Sequence, residues 1–253
     1  MSLARQHFQK HSAKAAAESA AEFGTMKDAT AYELQLMQLN NDRARLKQIQ
    51  STENKVKLKA TLLPIYAPYL EGILEAQTGV QDEIVTEMMI WNIDVGNFNQ
   101  ALLLAEYVLR HGLALPDRFE RTPACVITEE IASEFLKKLK TNAYIDIEVL
   151  KRLESLMINS ELPPETVDMP DQVKAKLYLA LGKAELRLIT DKDKPDLVHT
   201  QAAAEYLQKA VDLDEKCGGK GDLNLVQKLI DKFFPVTTDN SKETNTGDAA
   251  ASS

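Results

Sequence analysis

Residues 81–112 read QDEIVTEMMIWNIDVGNFNQALLLAEYVLRHG, and the fold class follows from this stretch. Its apolar residues predict two helices separated by a turn at Gly96. In the second helix, Ala101, Ala105 and Val108 have the spacing at which small residues let two helices pack closely, as in a tetratricopeptide-like repeat. Any antiparallel helix pair also places small residues at its contact. Both interpretations stay open, and both give a helical scaffold.

The helical pattern continues on both sides of this stretch, and no run of alternating β-branched residues indicates a strand. The predicted helices span 65–77, 81–94, 97–111, 128–140, 146–158, 171–189, 200–215 and 222–234. Thr128, followed by two glutamates, is the predicted N-cap of one of them. Ala203, Leu207 and Ala210 are candidates for a second repeat unit. We therefore expect an all-α protein with a multi-helix, tetratricopeptide-like body.

Composition divides the chain into four segments. Residues 1–27 are rich in Ala, Ser, Gln and Lys and have few large apolar groups, which predicts a mobile basic arm. Residues 28–63 predict one long helix or a helical hairpin that ends before Pro64, and this element is a candidate for DNA binding or oligomerisation. Residues 64–235 form the predicted helical body. Residues 236–253 are predicted to be a disordered tail.

The charge is unevenly distributed. The net charge is −8, but residues 1–60 hold ten Lys/Arg and six Asp/Glu, a net +4, which leaves −12 for the rest. Cys125 and Cys217 are too far apart in sequence to indicate a zinc knuckle or a redox pair. No segment approaches the roughly 20 apolar residues of a membrane span, and none resembles a signal peptide. We expect a soluble protein of the cytoplasm.

The sequence assigns no catalytic residue. Neither glycine-rich phosphate-binding motif occurs, so no nucleotide cofactor is expected. A metal-dependent nuclease needs three or four converging carboxylates, and solvated helix faces produce similar acidic groups. The candidates are Asp82, Glu83 and Glu87; Glu129, Glu130 and Glu134; Asp191 and Asp193; and Asp212, Asp214 and Glu215. Metal ligands therefore stay unassigned, and Mg²⁺ is expected only if the chain is itself an endonuclease.

The candidate DNA-binding residues are basic and lie in the N-terminal helical segment. They are Arg43, Arg45, Lys47, Lys55, Lys57 and Lys59. On a helix, Arg43 and Lys47 lie on one face, as do Lys55 and Lys59, so each pair can meet phosphates along a groove. The alternative is a solvated helix face, which is the common reason for a run of charges.

Several blocks of sequence, in this order and spacing, carry a resemblance to a known family. They are GVQDEI (79–84), MMIWNIDVG (88–96), RTP (121–123), TEEIA (128–132), DMPDQVKAKL (168–177) and YLQKA (206–210). With weaker matches upstream, they span about residues 28–235. In these blocks the chain resembles the small terminase subunits of P-two-like tailed phages.

This resemblance implies a role in viral DNA packaging in the host cell cytoplasm. The small subunit recognises concatemeric double-stranded viral DNA and presents it to the terminase large subunit, an ATPase, for cohesive-end cutting. Small terminases in general form ring-shaped homo-oligomers, and this family is conventionally named the terminase endonuclease subunit. Two alternatives stay open: a metal-dependent endonuclease in its own right, and a helical-repeat adaptor that binds only protein.

Overall fold

The computed structural model describes residues 2–26, 30–116, 118–158, 161–191 and 193–235. Within these ranges the chain forms eleven helices and no strand, which confirms the all-α class. The helices are α1 (Leu3–Phe23), α2 (Thr30–Lys47), α3 (Thr52–Ala76), α4 (Glu83–Asp94), α5 (Phe98–Arg110), α6 (Pro123–Lys140), α7 (Ile147–Met157), α8 (Pro164–Val167), α9 (Asp171–Leu188), α10 (Leu197–Leu213) and α11 (Lys220–Phe233). None of the described helices is long and apolar enough to cross a bilayer. The tail predicted at 236–253 lies outside the described residues.

Most helices of the body start and end close to where the sequence predicts them. The helix predicted at 65–77 is the second half of α3, the short α8 is not among the predicted helices, and α6 starts early. α6 begins at Pro123, five residues before the predicted N-cap Thr128. The true N-cap is Thr122, whose hydroxyl accepts a hydrogen bond from the Cys125 N–H at 3.3 Å, and proline suits the first helical position that follows it. Thr128 is fully buried inside the helix.

The N-terminal helical segment is two helices, α2 and α3, joined by a short link. α3 does not end at Pro64, as predicted, but continues through Pro64 and Pro68 to Ala76. The two prolines leave the carbonyls of residues 60 and 64 without their helical donors, and both residues are exposed, so water can satisfy these groups. The predicted boundary at residue 64 therefore falls inside a helix.

Residues 3–23, predicted to be a mobile arm, form α1 and pack along α3. Ala13, Ala17 and Ala20 of α1 are buried, and Ala13 lies against Gly72 of α3. Residues 3–7 of α1 lie beside residues 64–68 of α3, and Lys10 pairs further along with Glu71 and Glu75, so the two helices run in the same direction. The composition argument is wrong here because it counts large apolar groups, whereas α1 packs through alanine against a glycine of α3.

The core extends through α1 to α9, with Tyr66, Tyr69, Trp91 and Phe135 among its largest buried side chains. A smaller apolar cluster joins α9, α10 and α11. The helix pairs that the repeat hypothesis requires, α4 with α5 and α9 with α10, are present as packed pairs. The tetratricopeptide-like arrangement itself stays a prediction.

Candidate nucleic-acid interface

A groove of about 640 Å³ lies where α2, α3 and α4 meet the link between α5 and α6. It is lined by Arg43, Leu46 and Lys47 of α2, Lys55 and Lys59 of α3, Glu83, Glu87 and Trp91 of α4, and Pro116 and Arg118 of the link. The structure therefore brings four of the six predicted basic residues to one groove. The reason is the helical spacing: each pair lies one turn apart on its helix, and the short link between α2 and α3 brings both faces together.

The other two predicted residues do not line this groove. Arg45 forms an ion pair with Asp42 at 2.8 Å, and Lys57 forms one with Glu53 at 2.5 Å. Both basic side chains are more than half exposed, at 55% and 67%. Arg45 and Lys57 thus belong to solvated faces of α2 and α3.

Three of the groove cations are held by carboxylates of α4. Arg43 contacts Glu83 at 2.6 Å and Glu87 at 2.5 Å, and Arg118 contacts Glu87 at 2.7 Å. Lys59 pairs with the carboxylate of residue 94, at the end of α4, and its ammonium lies 5.6 Å from the centre of the Trp91 ring. The charges of these three side chains are therefore partly neutralised within the chain.

Lys47 and Lys55 differ from these three cations. Neither forms an ion pair with any residue that the structure describes, and Lys47 is exposed while Lys55 is half-buried. The groove lining holds five cations against two carboxylates. This surplus of positive charge contrasts with a chain whose net charge is −8.

Glu87 has the most enclosed carboxylate of the groove. Burial acts to raise its pKa, but hydrogen bonds from Arg43 and Arg118 outweigh burial and hold the pKa below its ordinary value. The indole N–H of Trp91 donates a third hydrogen bond to Glu87, at 2.8 Å. Glu87 is therefore a charged, fully partnered group at neutral pH.

Asp82, next to the groove, has a structural role. Its carboxylate accepts hydrogen bonds from the N–H groups of Ile84 and Val85 and so caps α4, and it also accepts one from the Tyr69 hydroxyl. Burial raises the pKa of Asp82 to about 6 despite these hydrogen bonds. A carboxylate enclosed in this way is not available to a metal ion.

The other acidic groups from the sequence do not converge either. Glu129 pairs with Arg121 and with Lys176, and Asp191 accepts a hydrogen bond from the backbone of Asp193 in a turn. Among the described residues, no three His, Cys, Asp or Glu side chains lie close enough to hold a metal ion. Asp82, Glu87, Glu129 and Asp191 are thus each engaged in a helix cap, an ion pair or a turn hydrogen bond.

Sequence reasoning missed Arg118 as a lining cation, and it named Glu83 and Glu87 as candidate metal ligands and not as partners of the arginines. Arg118 lies in an irregular link, two residues after Pro116, where helical periodicity gives no signal. Glu87 could have been found as an arginine partner, since it lies one helical turn from Glu83 on the same face of α4.

Two comparisons with known proteins show the family of this chain. A family described as "Phage small terminase subunit" matches residues 36–181, which include the whole groove. The "Terminase, endonuclease subunit" of Escherichia phage P2 is 33% identical over 229 residues, covering 90% of this chain and 85% of that protein. No solved structure gives a significant match. The chain therefore belongs to the phage small terminase subunit family and has the role of a terminase small subunit in viral DNA packaging.

Proposed function

We propose that the groove between α2, α3 and α4 binds the phosphate backbone of double-stranded viral DNA. One observation carries the proposal: the basic faces of α2 and α3 meet and bring four cations to one groove, and Arg118 of the α5–α6 link adds a fifth. Lys47 and Lys55 are free of internal ion pairs among the described residues and are the first candidates for phosphate contacts. Backbone contacts of this kind supply affinity and position the protein, whereas they read no base sequence.

The family implies interaction with viral DNA and with the terminase large subunit. We infer that the chain holds concatemeric DNA and presents it to the large subunit, in the host cell cytoplasm. One groove with two unpaired lysines is a weak site on its own. A ring-shaped homo-oligomer would place several such grooves on one DNA molecule, and linked sites bind far more tightly than single ones.

The relative from phage P2 is named an endonuclease subunit, which keeps cleavage as a second candidate function. Because candidate carboxylates of this chain already form caps and ion pairs, we infer that DNA cleavage requires the large subunit. Purified protein incubated with Mg²⁺ or Mn²⁺ and cognate DNA is then expected to leave the DNA intact. Nicking by the small subunit alone would move the catalytic role to this chain.

A matched pair of double variants tests the DNA groove. Lys47→Ala with Lys55→Ala removes two positive charges from the groove, and Arg45→Ala with Lys57→Ala removes two from α2 and α3 outside it. We expect the first variant to bind duplex DNA about tenfold or more weakly at about 0.1 M salt, and the slope of log Kd against log salt to fall by about 2. Fluorescence anisotropy at several salt concentrations measures both quantities.

The control variant is expected to bind within about twofold of wild type, since its two cations lie off the groove. Gln38 and Tyr66 still donate hydrogen bonds to the buried carboxylate of Asp42 when Arg45 is removed. Equal losses in the two variants would mean that only overall charge matters, and no loss in the first would remove the groove as the DNA site. Light scattering with and without DNA measures the mass of the assembly. A strictly monomeric particle in both conditions would exclude the ring.

A further inference from the structure

Two carboxylates stand one helical turn apart on the floor of the groove, and both contact Arg43. One terminal nitrogen of the guanidinium donates to Glu83 at 2.6 Å, and the other donates to Glu87 at 2.5 Å. Their surroundings differ sharply, since the side chain of Glu83 is 38% exposed and that of Glu87 is 3% exposed. The two glutamates are therefore not equivalent, although both bring negative charge to a groove that is proposed to bind an anion.

Glu87 cannot leave its position at low cost. It accepts hydrogen bonds from Arg43 on α2, from Arg118 on the α5–α6 link and from Trp91 on its own helix. A buried carboxylate that loses its cations stays unpaired in a low-dielectric site, which is strongly unfavourable. The contacts of Glu87 thus fix two arginines that come from two separate elements of the chain.

Glu83 can leave. Its exposed carboxylate can turn into water, where it is fully solvated, and this releases one nitrogen of Arg43 toward the groove. A DNA phosphate that takes the place of Glu83 restores a charge-assisted hydrogen bond to the guanidinium. The exchange leaves no buried charge unpaired, because Glu87 keeps its contact with the other nitrogen.

We propose that Glu87 is a positioning residue that holds Arg43 and Arg118 in the DNA groove, and that Glu83 occupies the place of a DNA phosphate on Arg43 until DNA displaces it. This inference rests on the proposed function of the groove. It adds Arg118 to the DNA-binding residues and gives the two neighbouring glutamates opposite effects. A reading based on charge alone gives them the same effect, since removal of either negative charge would strengthen DNA binding.

The test compares Glu83→Gln with Glu87→Gln, two isosteric changes that each remove one negative charge. We expect Glu83→Gln to tighten duplex DNA binding about threefold, because a neutral amide holds Arg43 less strongly than a carboxylate does and a phosphate displaces it more easily. We expect Glu87→Gln to weaken binding about fivefold, because two arginines lose the group that orients them. Anisotropy titrations at one salt concentration give both values.

Structural damage in the Glu87→Gln variant is checked in two ways. Trp91 is the single tryptophan of the chain and donates to Glu87, so its emission spectrum and the thermal melt report on the local fold. Arg118→Ala gives an independent route, because this side chain is 47% exposed and Glu87 keeps its contacts with Arg43 and Trp91 without it. We expect Arg118→Ala to weaken binding about threefold, and its loss to add little to that of Glu87→Gln, since both act on one contact.

The outcomes separate this inference from the proposed function. Suppose that the Lys47 and Lys55 double variant loses affinity but Glu83→Gln and Glu87→Gln both strengthen binding. Charge alone then explains the effect of the two glutamates, so the inference fails, while the groove remains the proposed DNA site. Unchanged binding in Arg118→Ala also overturns the inference. If the lysine double variant binds as wild type does, the groove is not the DNA site and both proposals fail together.

Discussion

Two helix pairs in this protein, α1 on α3 and α10 on α9, pack through a glycine at the point of closest approach. In the first pair, a Cβ built on Gly72 would overlap the backbone carbonyl oxygen of Lys10. In the second pair, a Cβ built on Gly182 would lie 2.6 Å from Cγ of Leu207, a side-chain atom. The first contact is backbone against backbone, whereas the second leaves a flexible side chain between the helices.

The two pairs also differ in the groups around the glycine. α1 contributes small buried side chains, and its ion pairs, from Lys10 to Glu71 and Glu75, lie on the surface. The α9–α10 pair buries the Leu207 side chain and a charged group, Glu185. A glycine at the contact thus serves two kinds of helix pair: one held mainly by shape, with ion pairs only at its surface, and one held by large side chains and a buried charge.

The largest effect is expected for Gly72→Ala. The new methyl group meets a carbonyl oxygen that cannot move without its helix, so α1 must separate from α3 and lose its packing. Alanine gains about 1 kcal/mol of helix propensity over glycine, which offsets part of the damage. We expect a net loss of about 3 kcal/mol in the free energy of unfolding, measured by urea denaturation.

The same variant should also expose α1 to protease. Trypsin is expected to cleave after Lys10 and Lys14 faster than in wild type, while the rest of the chain stays resistant. Wild-type resistance at these two sites would show that α1 does not depend on the close approach at Gly72, and the contrast between the two helix pairs would disappear.

A smaller effect is expected for Glu185→Gln. The carboxylate of Glu185 contacts His199 of α10 at 2.7 Å and Lys151 of α7 at 3.2 Å. Both partners are about one-third exposed and can turn to water when the carboxylate is lost, so the cost lies below that of a fully buried pair. We expect a loss of about 2 kcal/mol in unfolding free energy, with Lys10→Gln as the control for a surface pair.

The control should melt at the temperature of wild type, since the Lys10 ion pairs lie in water. Equal losses in the two variants would mean that charge contributes as much to α1 packing as to α10 packing. That result would contradict the division between a pair held by shape and a pair held by large side chains and charge.

The sequence predicts the second pair much better than the first, and for a physical reason. α9 carries large buried apolar residues at helical spacing, Val173, Leu177 and Leu181, and that periodicity is a direct signal of a buried face. α10 adds Leu207 between Ala203 and Ala210. α1 buries alanines, whose small side chains do not distinguish a packed helix from a mobile arm. The sequence also does not show that Gly72 is a packing contact, since a glycine is required there only because the backbone of α1 approaches it.

The groove that we propose binds DNA shows the same limit. Lys47 and Lys55 could be predicted because each lies one turn from another basic residue on its own helix. Their meeting at one groove depends on how α2 and α3 pack, and the sequence does not specify that. The ion pairs from Arg43 to α4 and the approach of Arg118 link residues more than 30 positions apart, which helical periodicity does not connect.

The smallest effect is expected for Gly182→Ala, which tests the comparison most sharply. The methyl group meets Leu207, whose side chain can change rotamer, but the backbone N of Leu207 also lies 3.1 Å from the new atom and limits the adjustment. With the gain in helix propensity, we expect a net loss of about 1 kcal/mol. Gly182→Ala with Leu207→Ala should then show a favourable interaction energy in a double-mutant cycle, because the smaller side chain gives the methyl group room. At Gly72 the new methyl group meets the carbonyl oxygen of Lys10, so shortening the Lys10 side chain should not relieve the loss. A favourable coupling at Gly182 and no coupling at Gly72 would together establish that one glycine faces a side chain and the other faces backbone.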